Sequence, residues 1–176
     1  MTVAALTART EVSEPARPAF AQAAETHLNA VYRYLRQLTG DPHLAEDLTS
    51  ETFERAFRVW DRYDPARGPV LPWLVTIARR IALDHFRSET RRRGRERRAA
   101  AGDEPVTRAP EATADLPPEL AAALGRLTRS EREVVALRVL LEMDGAEAAG
   151  VLGITRSACS TQLHRAMTKL REDLAR

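Results

Sequence analysis

Residues 147–170 read EAAGVLGITRSACSTQLHRAMTKL, and their pattern determines the architecture expected for the C-terminal part of the chain. Apolar residues recur at helical spacing on both sides of Gly153, which can adopt the positive φ of a tight turn. Ala149 is small where the two helices must cross closely, and Thr155 can cap the second helix. The stretch therefore predicts two helices with the spacing of a helix-turn-helix.

The second of these helices has a polar face that is expected to point away from the first. Ile154 and Cys159 are expected to fill the space between the helices. A polar face on such a helix can enter the major groove of DNA, although an ordinary helical hairpin with a solvated face has the same pattern. The outward residues are Arg156, Ser157, Ser160, Thr161, His164 and Arg165.

Two further helix starts precede the motif. Thr128 with Glu131, and Asp144 with Glu147, have the spacing of a capping box. In this motif the side chain of each residue accepts a hydrogen bond from the backbone N–H of the other residue in the pair. An apolar stripe opens this C-terminal region near Pro117, and another runs along the inner face of the last helix. These stripes consist of Leu120, Leu124 and Leu127, and of Cys159, Leu163, Ala166, Met167, Leu170 and Leu174.

The N-terminal half predicts three more helices. Gly40 ends the first helix, and Asp41 with Pro42 begins a second that reaches about residue 62. A turn-rich loop, YDPARGPVL, leads to a third helix that opens at Pro72 and frays within an arginine run. The apolar residues are Leu28, Val31, Leu35 and Leu38 in the first helix, Leu44, Leu48, Phe53, Phe57 and Trp60 in the second, and Trp73, Leu74, Ile77, Ile81 and Phe86 in the third.

Charge is unevenly distributed along a chain whose net charge is only +2. Residues 86–98 contain seven arginines against two glutamates, whereas residues 99–119 contain five acids against one arginine. The first run is a candidate for phosphate contacts or an ordinary solvated helix face. We predict an all-α fold of two small domains: a disordered arm over 1–19, a helical bundle over 20–98, an acidic linker over 99–116, and the helix-turn-helix domain over 117–176.

Several classes of protein are disfavoured. The single cysteine allows no internal disulfide and fits a reducing compartment. No apolar run is long enough for a membrane span, and residues 1–19 lack a signal-peptide core, so we expect a cytoplasmic protein. The four histidines are scattered without metal-ligand spacing, and no catalytic set or phosphate loop can be assembled. We therefore expect no cofactor, no metal and no enzymatic activity.

Taken together, these motifs resemble the extracytoplasmic-function (group IV) family of bacterial sigma factors over roughly residues 20–98 and 116–174. LTGDPHLAEDLTSETFERAFRVWDRYDP is similar to the family's region 2, which binds core RNA polymerase. PWLVTIARRIALDHFR is similar to the helix that reads the downstream (−10) promoter element. LTRSEREVVALRVLLEMDGAEAAGVLGITRSACSTQLHRAMTKLRE is similar to region 4, which reads the upstream (−35) element.

The resemblance implies a role for each matching residue. Contacts with the clamp helices of the largest polymerase subunit would come from Asp47, Leu48, Ser50, Glu51, Phe53 and Glu54. A loop over residues 64–71 would pocket a flipped base, and the downstream element would meet Asp64, Arg67, Arg79, Arg80, His85 and Arg87. The outward face of the last helix would meet the upstream element. The implied partners are core RNA polymerase, including other core subunits, promoter DNA and an anti-sigma factor.

The chain departs from the family pattern at several positions. Ser50 replaces the usual glutamine and Arg80 the usual asparagine, while Ser160 and Gln162 stand where two basic residues are common. The last change predicts weaker phosphate contacts with the upstream element. The alternative to a sigma factor is a helix-turn-helix regulator that binds duplex DNA without polymerase.

Overall fold

The computed structural model describes residues 19–99 and 116–175, so most of the predicted arm and of the predicted linker lies outside the described residues. Most of the described residues are helical, and no strand occurs among them. We call residues 19–99 the first lobe and residues 116–175 the second lobe. The all-α prediction is thus confirmed for the part of the chain that the structure describes.

The first lobe consists of three helices: α1 (Phe20–Thr39), α2 (Pro42–Arg58) and α3 (Val70–Ala99). Gly40 ends α1 in the left-handed conformation, with φ of 72°. The Asp41 side chain then accepts hydrogen bonds from the backbone N–H groups of His43 and Leu44, which begins α2 as predicted. Two short 3₁₀ turns, Trp60–Arg62 and Pro65–Arg67, connect α2 to α3.

The second lobe contains α4 (Pro118–Arg126), α5 (Arg129–Val135), a π-helical turn (Ala136–Leu140), α6 (Gly145–Leu152) and α7 (Arg156–Leu174). Both predicted capping boxes are present, at the start of α5 and at the start of α6. Gly153 ends α6 with φ of 70°, and the Thr155 hydroxyl accepts a hydrogen bond from the backbone N–H of Ala158. These local signals are therefore confirmed.

Each lobe has an apolar core between its helices. In the first lobe, Tyr34, Leu35 and Leu74 are almost completely buried. In the second, Leu137 and Cys159 fill the corresponding space. Burial raises the pKa of the Cys159 thiol, which therefore stays protonated and packs as a small apolar group.

Some details of the predicted helices are wrong. The second helix ends at Arg58 rather than near residue 62, because the chain tightens into the 3₁₀ turn at Trp60. The third begins at Val70 and does not fray in the arginine run but continues to Ala99. Glu89 accepts hydrogen bonds from Arg92 and Arg93, one turn further on, and these bonds support the helix there.

Besides Phe57, which is 65% exposed, three residues that were predicted to be buried are instead exposed. Leu28, Ile154 and Leu174 expose 51%, 38% and 50% of their surface. Leu28 and Leu174 fit the apolar period of their helices, but no neighbouring helix packs over them. Ile154 lies in the turn before α7 and does not act as a plug between α6 and α7.

Replacing Thr128 with alanine is expected to lower the free energy of unfolding by about 1 kcal/mol, which is typical of a lost N-cap. The Thr128 hydroxyl accepts from the backbone N–H of Glu131, and this bond disappears in the variant. Urea unfolding followed by circular dichroism measures the change. Thr26→Ala is the control, because that exposed hydroxyl only donates to a carbonyl within α1. Equal effects of the two changes would contradict the capping role.

The described residues include no helix that is long and apolar enough to cross a membrane.

Candidate nucleic-acid and partner interfaces

The six candidate DNA-contacting residues of α7 all lie on the protein surface. Arg156, Ser157, Ser160, Thr161, His164 and Arg165 are each exposed. Behind this face, Cys159 and Ala166 are buried against the rest of the second lobe. Ala149 is also buried, which allows the close approach of α6 and α7 that the sequence predicted. The arrangement leaves the N-terminal half of α7 free to enter a groove.

Gln162 has a structural role that the sequence did not reveal. Its side-chain amide donates a hydrogen bond to the Ser130 hydroxyl at 2.6 Å, which ties α7 to the start of α5. Gln162 is half-buried, whereas Ser160 is exposed. One of the two unusual positions in α7 therefore supports the second lobe, and only the other belongs to the exposed face.

The acidic residues of α2 form a continuous stripe on the surface. Asp47, Ser50, Glu51 and Glu54 are exposed and follow the i, i+3, i+4, i+7 spacing of one helix face. The α2 stripe, as we call these four residues, can meet a basic partner. The other two predicted contact residues differ, since Leu48 is only 4% exposed and belongs to the core, and Phe53 is half-buried.

Phe57 is a further candidate contact, although the sequence suggested that it would be buried. Its side chain is 65% exposed, and it lies three residues beyond Glu54 at the end of the α2 stripe. Its ring centroid is 5.2 Å from that of Phe20, which is its aromatic neighbour on α1. An exposed aromatic beside acidic residues is typical of a protein interface. The position of Phe57, three residues after Glu54 on the same helix, could have indicated from the sequence that it lies beside the acidic residues.

The loop between α2 and α3 is held by its own hydrogen bonds. The Tyr63 hydroxyl donates to the carbonyl of Gly68 at 3.0 Å, and the Asp64 carboxylate accepts from the backbone N–H of Ala66 at 2.9 Å. Gly68 has φ of 139°, a conformation that side-chain-bearing residues rarely adopt. Burial raises the pKa of Tyr63, and the negative charge of Asp64 adds to this effect. The hydroxyl therefore keeps its proton and remains a donor. These hydrogen bonds hold the loop in a defined conformation within the first lobe.

Aromatic rings form the base of this loop. The ring of Trp60 stacks on that of Tyr63 at 5.1 Å, and Trp73 lies 5.6 Å from Trp60 and 5.5 Å from Tyr63. We call these three residues the aromatic cluster. They pack mainly on one another, as expected for core aromatics, yet Trp73 and Tyr63 also line a cleft.

That cleft has a volume of about 660 Å³ and lies between the two lobes. The loop and the start of α3 form one wall, with Asp64, Arg67 and Trp73 among the lining residues. The other wall belongs to α6 and includes Glu147 and Val151. Two of the residues predicted for the downstream element, Asp64 and Arg67, are thus brought together here and face the second lobe.

The other four predicted downstream residues lie along α3. Arg80 is exposed, and His85 is half-buried with its ring 6.1 Å from that of Phe86. Arg87 is exposed and donates to Asp84, three residues before it on α3, at 3.2 Å. Arg79 differs from all of these, because it points into the contact between the lobes.

Glu133 of α5 accepts hydrogen bonds from the Arg79 side chain, a contact that was not predicted from the sequence. Arg79 Nε donates to Glu133 Oε1 at 3.0 Å and Nη2 donates to Oε2 at 3.4 Å. The Tyr34 hydroxyl also donates to Glu133 Oε1, at 3.3 Å. Glu133 is 3% exposed and Tyr34 is fully buried. Burial raises the pKa of Tyr34 well above its usual range, and the negative charge of the Glu133 carboxylate adds to this effect. The Tyr34 hydroxyl therefore keeps its proton.

A second contact between the lobes lies near the middle of α3. The guanidinium of Arg129 stands over the ring of Phe86, 4.1 Å from its centroid, in a cation–π arrangement. Helix α1 also packs on α5, and α3 packs on α6. The two lobes are therefore in contact in this structure, whereas the sequence predicted only two domains joined by a linker.

No group of three or more His, Cys, Asp or Glu side chains that could hold a metal ion occurs among residues 19–99 and 116–175.

Comparison with known proteins agrees with this geometry. Residues 23–92 match the family model for Sigma-70 region 2, and residues 118–170 match that for Sigma-70, region 4. The first match covers most of α1, all of α2 and most of α3, and the second covers nearly all of the second lobe.

Two relatives and one solved structure show the same likeness. The chain is 36% identical over 155 residues to the ECF RNA polymerase sigma factor BldN of Streptomyces coelicolor, covering 86% of this chain and 59% of BldN. It is 30% identical over 148 residues to SigL of Mycobacterium tuberculosis, covering 84% of each chain. The sigma factor RpoE of Bartonella quintana, solved in complex with the anti-sigma factor NepR, superposes with a TM-score of 0.69 at 26% identity, covering 89% of this chain and 96% of RpoE.

The chain thus spans less than two thirds of the length of BldN but most of the length of SigL. The sigma-factor family is not a family of enzymes. With two lobes that match regions 2 and 4 in the order the sequence predicted, this chain belongs to the extracytoplasmic-function family of RNA polymerase sigma factors.

Proposed function

We propose that the chain is an alternative sigma factor that binds core RNA polymerase, directs it to a set of promoters and stabilises the opened DNA strand. The observation that carries this proposal is the presence of two chemically different surfaces on separate lobes. One is the acidic α2 stripe, and the other is the exposed polar and basic face of α7. A regulator that bound duplex DNA alone would need only the second.

The α2 stripe is the proposed contact with the clamp helices of the largest polymerase subunit. Asp47, Glu51 and Glu54 can steer the approach of a basic surface, while an apolar side chain supplies affinity at the centre of the contact. Phe57 is exposed and adjacent, so it meets this requirement better than the buried Leu48.

The loop and the start of α3 are the proposed site for the opened strand at the downstream element. An extruded base loses a few kcal/mol of stacking, and capture in a pocket offsets that loss. Trp73, which is half-buried, offers a ring surface, and Arg67 offers a cation, beside the same cleft. Arg79, Arg80, His85 and Arg87 would contact the adjoining DNA along α3. No bond is made or broken by the protein in this scheme.

An anti-sigma factor is the proposed regulator, because RpoE of Bartonella quintana was solved with such a partner. This chain would act where core polymerase works, in the cytoplasm.

Run-off transcription tests the proposed function directly. Bacterial core RNA polymerase is supplied with a library of genomic fragments, with and without the full-length chain. Discrete start sites that depend on the chain are expected, and their sequences would define both promoter elements. If no start sites arise and the chain alone shifts specific duplexes, the polymerase-independent regulator replaces this proposal.

Replacing Arg156 or Arg165 with alanine is expected to weaken use of such a promoter by about 1–3 kcal/mol if the side chain contacts a base. Transcript yield against concentration of the chain measures the loss on promoters that differ in the upstream element. Arg171→Ala is the matched control, because Arg171 is exposed on the same helix but lies beyond the predicted face. An equal loss on every sequence would mean a phosphate contact, and no loss would contradict the assignment.

A further inference from the structure

The contact between the lobes involves one of the three proposed interfaces and leaves the other two exposed. In this closed arrangement, Arg79 is bound to Glu133 and α6 forms a wall of the cleft at the loop. The α2 stripe and the outward face of α7 remain exposed. The closed chain therefore presents surfaces for polymerase and for duplex DNA, while its second lobe faces the proposed site for the opened strand and occupies Arg79. Arg80 and Arg87 stay exposed.

We propose that Glu133 is an internal latch, which holds the second lobe over the single-strand site of the first lobe by occupying Arg79 and Tyr34. The inference rests on the proposed function for the identity of the covered site. It does not depend on that function for the existence of the latch, which follows from the contacts between α1, α3 and α5.

The chemistry of the latch suits a contact that must open. A carboxylate taken out of water is unfavourable unless its oxygens are paired, and here three hydrogen bonds from Tyr34 and Arg79 pair them. The attraction within such a pair is largely offset by the water that both charges give up. In the open chain both groups regain water, so the closed state is favoured only modestly.

DNA is a direct competitor for the same guanidinium. Phosphate and carboxylate oxygens both accept two parallel hydrogen bonds from arginine. Arg79 retains 24% of its side-chain exposure in the closed state, so an approaching strand can reach it from one side. Capture of Arg79 by a backbone phosphate would leave Glu133 buried without its cation, and the second lobe would then separate.

The α2 stripe lies outside the latch, which sets the order of events. Polymerase can dock on the closed chain through α2, after which the single strand displaces Glu133. In the free chain, full contact with single-stranded DNA requires the open state, so the apparent affinity is reduced by the open fraction.

Glu133→Gln and Glu133→Arg are the variants that test the latch in the full-length chain. The first removes the charge that pairs with Arg79, and the second places a like charge against it. Asp173→Asn is the matched control, since Asp173 pairs with Arg126 inside the second lobe. Circular dichroism checks that each variant keeps its helices.

Two measurements apply to every variant. Small-angle X-ray scattering gives the radius of gyration, and fluorescence anisotropy gives the affinity for a labelled single strand of random sequence. Both Glu133 variants are expected to expand and to bind the strand roughly tenfold more tightly than the parent. The Asp173→Asn chain is expected to match the parent in both.

A charge swap separates the latch from a general loss of packing. Combining Arg79→Glu with Glu133→Arg restores an ion pair of opposite direction, and the double variant is expected to regain the compact radius that Glu133→Arg loses. Only the radius is compared for this chain, because Arg79 belongs to the proposed DNA site. A double variant as expanded as Glu133→Arg alone would overturn the proposal.

The remaining outcomes distinguish the latch from the proposed function. Glu133 variants that stay compact, or that expand without a gain in strand binding, overturn the latch even if run-off transcription yields start sites. Expansion with tighter strand binding supports the latch even if no start sites arise, in which case the sigma function alone fails.

Discussion

Reversing the charges of Asp47 and Glu51 to arginine is expected to abolish co-purification of the chain with core RNA polymerase. Both side chains are exposed on the α2 stripe. Like charges that face each other across an interface cost several kcal/mol, which corresponds to a loss of at least about a hundredfold in affinity. Affinity capture of core enzyme on the immobilised chain, followed by gel analysis, measures the effect.

The control for this result is a second double reversal with the same change in net charge. Glu25 and Glu172 are exposed on α1 and α7 and do not belong to the α2 stripe. Their replacement by arginine is expected to leave co-purification intact. Unchanged capture of the Asp47 and Glu51 variant, with normal circular dichroism, would remove α2 from the polymerase contact.

Replacing Leu74 with alanine is expected to lower the free energy of unfolding of the first lobe by about 2–5 kcal/mol. Leu74 is 1% exposed, so the change leaves a cavity between the helices of this lobe. Urea unfolding followed by tryptophan fluorescence measures the loss, because both tryptophans of the chain, Trp60 and Trp73, lie in the first lobe near this site.

Leu28→Ala provides the comparison, since Leu28 is 51% exposed on α1. A surface change of this kind usually alters stability by no more than about 0.5 kcal/mol. If Leu28→Ala cost as much as Leu74→Ala, the packing of α1 described above would be incorrect.

Leu28 also illustrates how far the sequence could predict the fold. Helix starts and stops depend on a few neighbouring residues, so the caps at Asp41 and Thr128 and the stop at Gly153 could be read directly. Burial depends on which helix lies opposite, and the period of one helix cannot reveal that. Leu28 fits the stripe of α1, but it extends beyond the surface that α2, α3 and α5 cover.

The candidate site shows the same division. The predicted DNA-contacting face of α7 and the predicted polymerase-contacting face of α2 each belong to a single helix. All the residues predicted for these two faces are exposed, except Leu48 and Phe53 on α2. The role of Glu133 was missed because its partners, Tyr34 and Arg79, are 99 and 54 residues away in the chain. In sequence it is one more acid in a charged helix, and no local pattern distinguishes an acid that pairs with another lobe.

The same separation along the chain has a consequence during synthesis. Domains fold as they emerge, and ribosomes add about 5–20 residues per second. The first lobe is complete before Glu133 is made, and Arg79 precedes Glu133 by a delay of roughly 3–10 s at that rate. In a nascent chain the proposed strand site is therefore open at first, and the second lobe can close over it only after Glu133 has been synthesised.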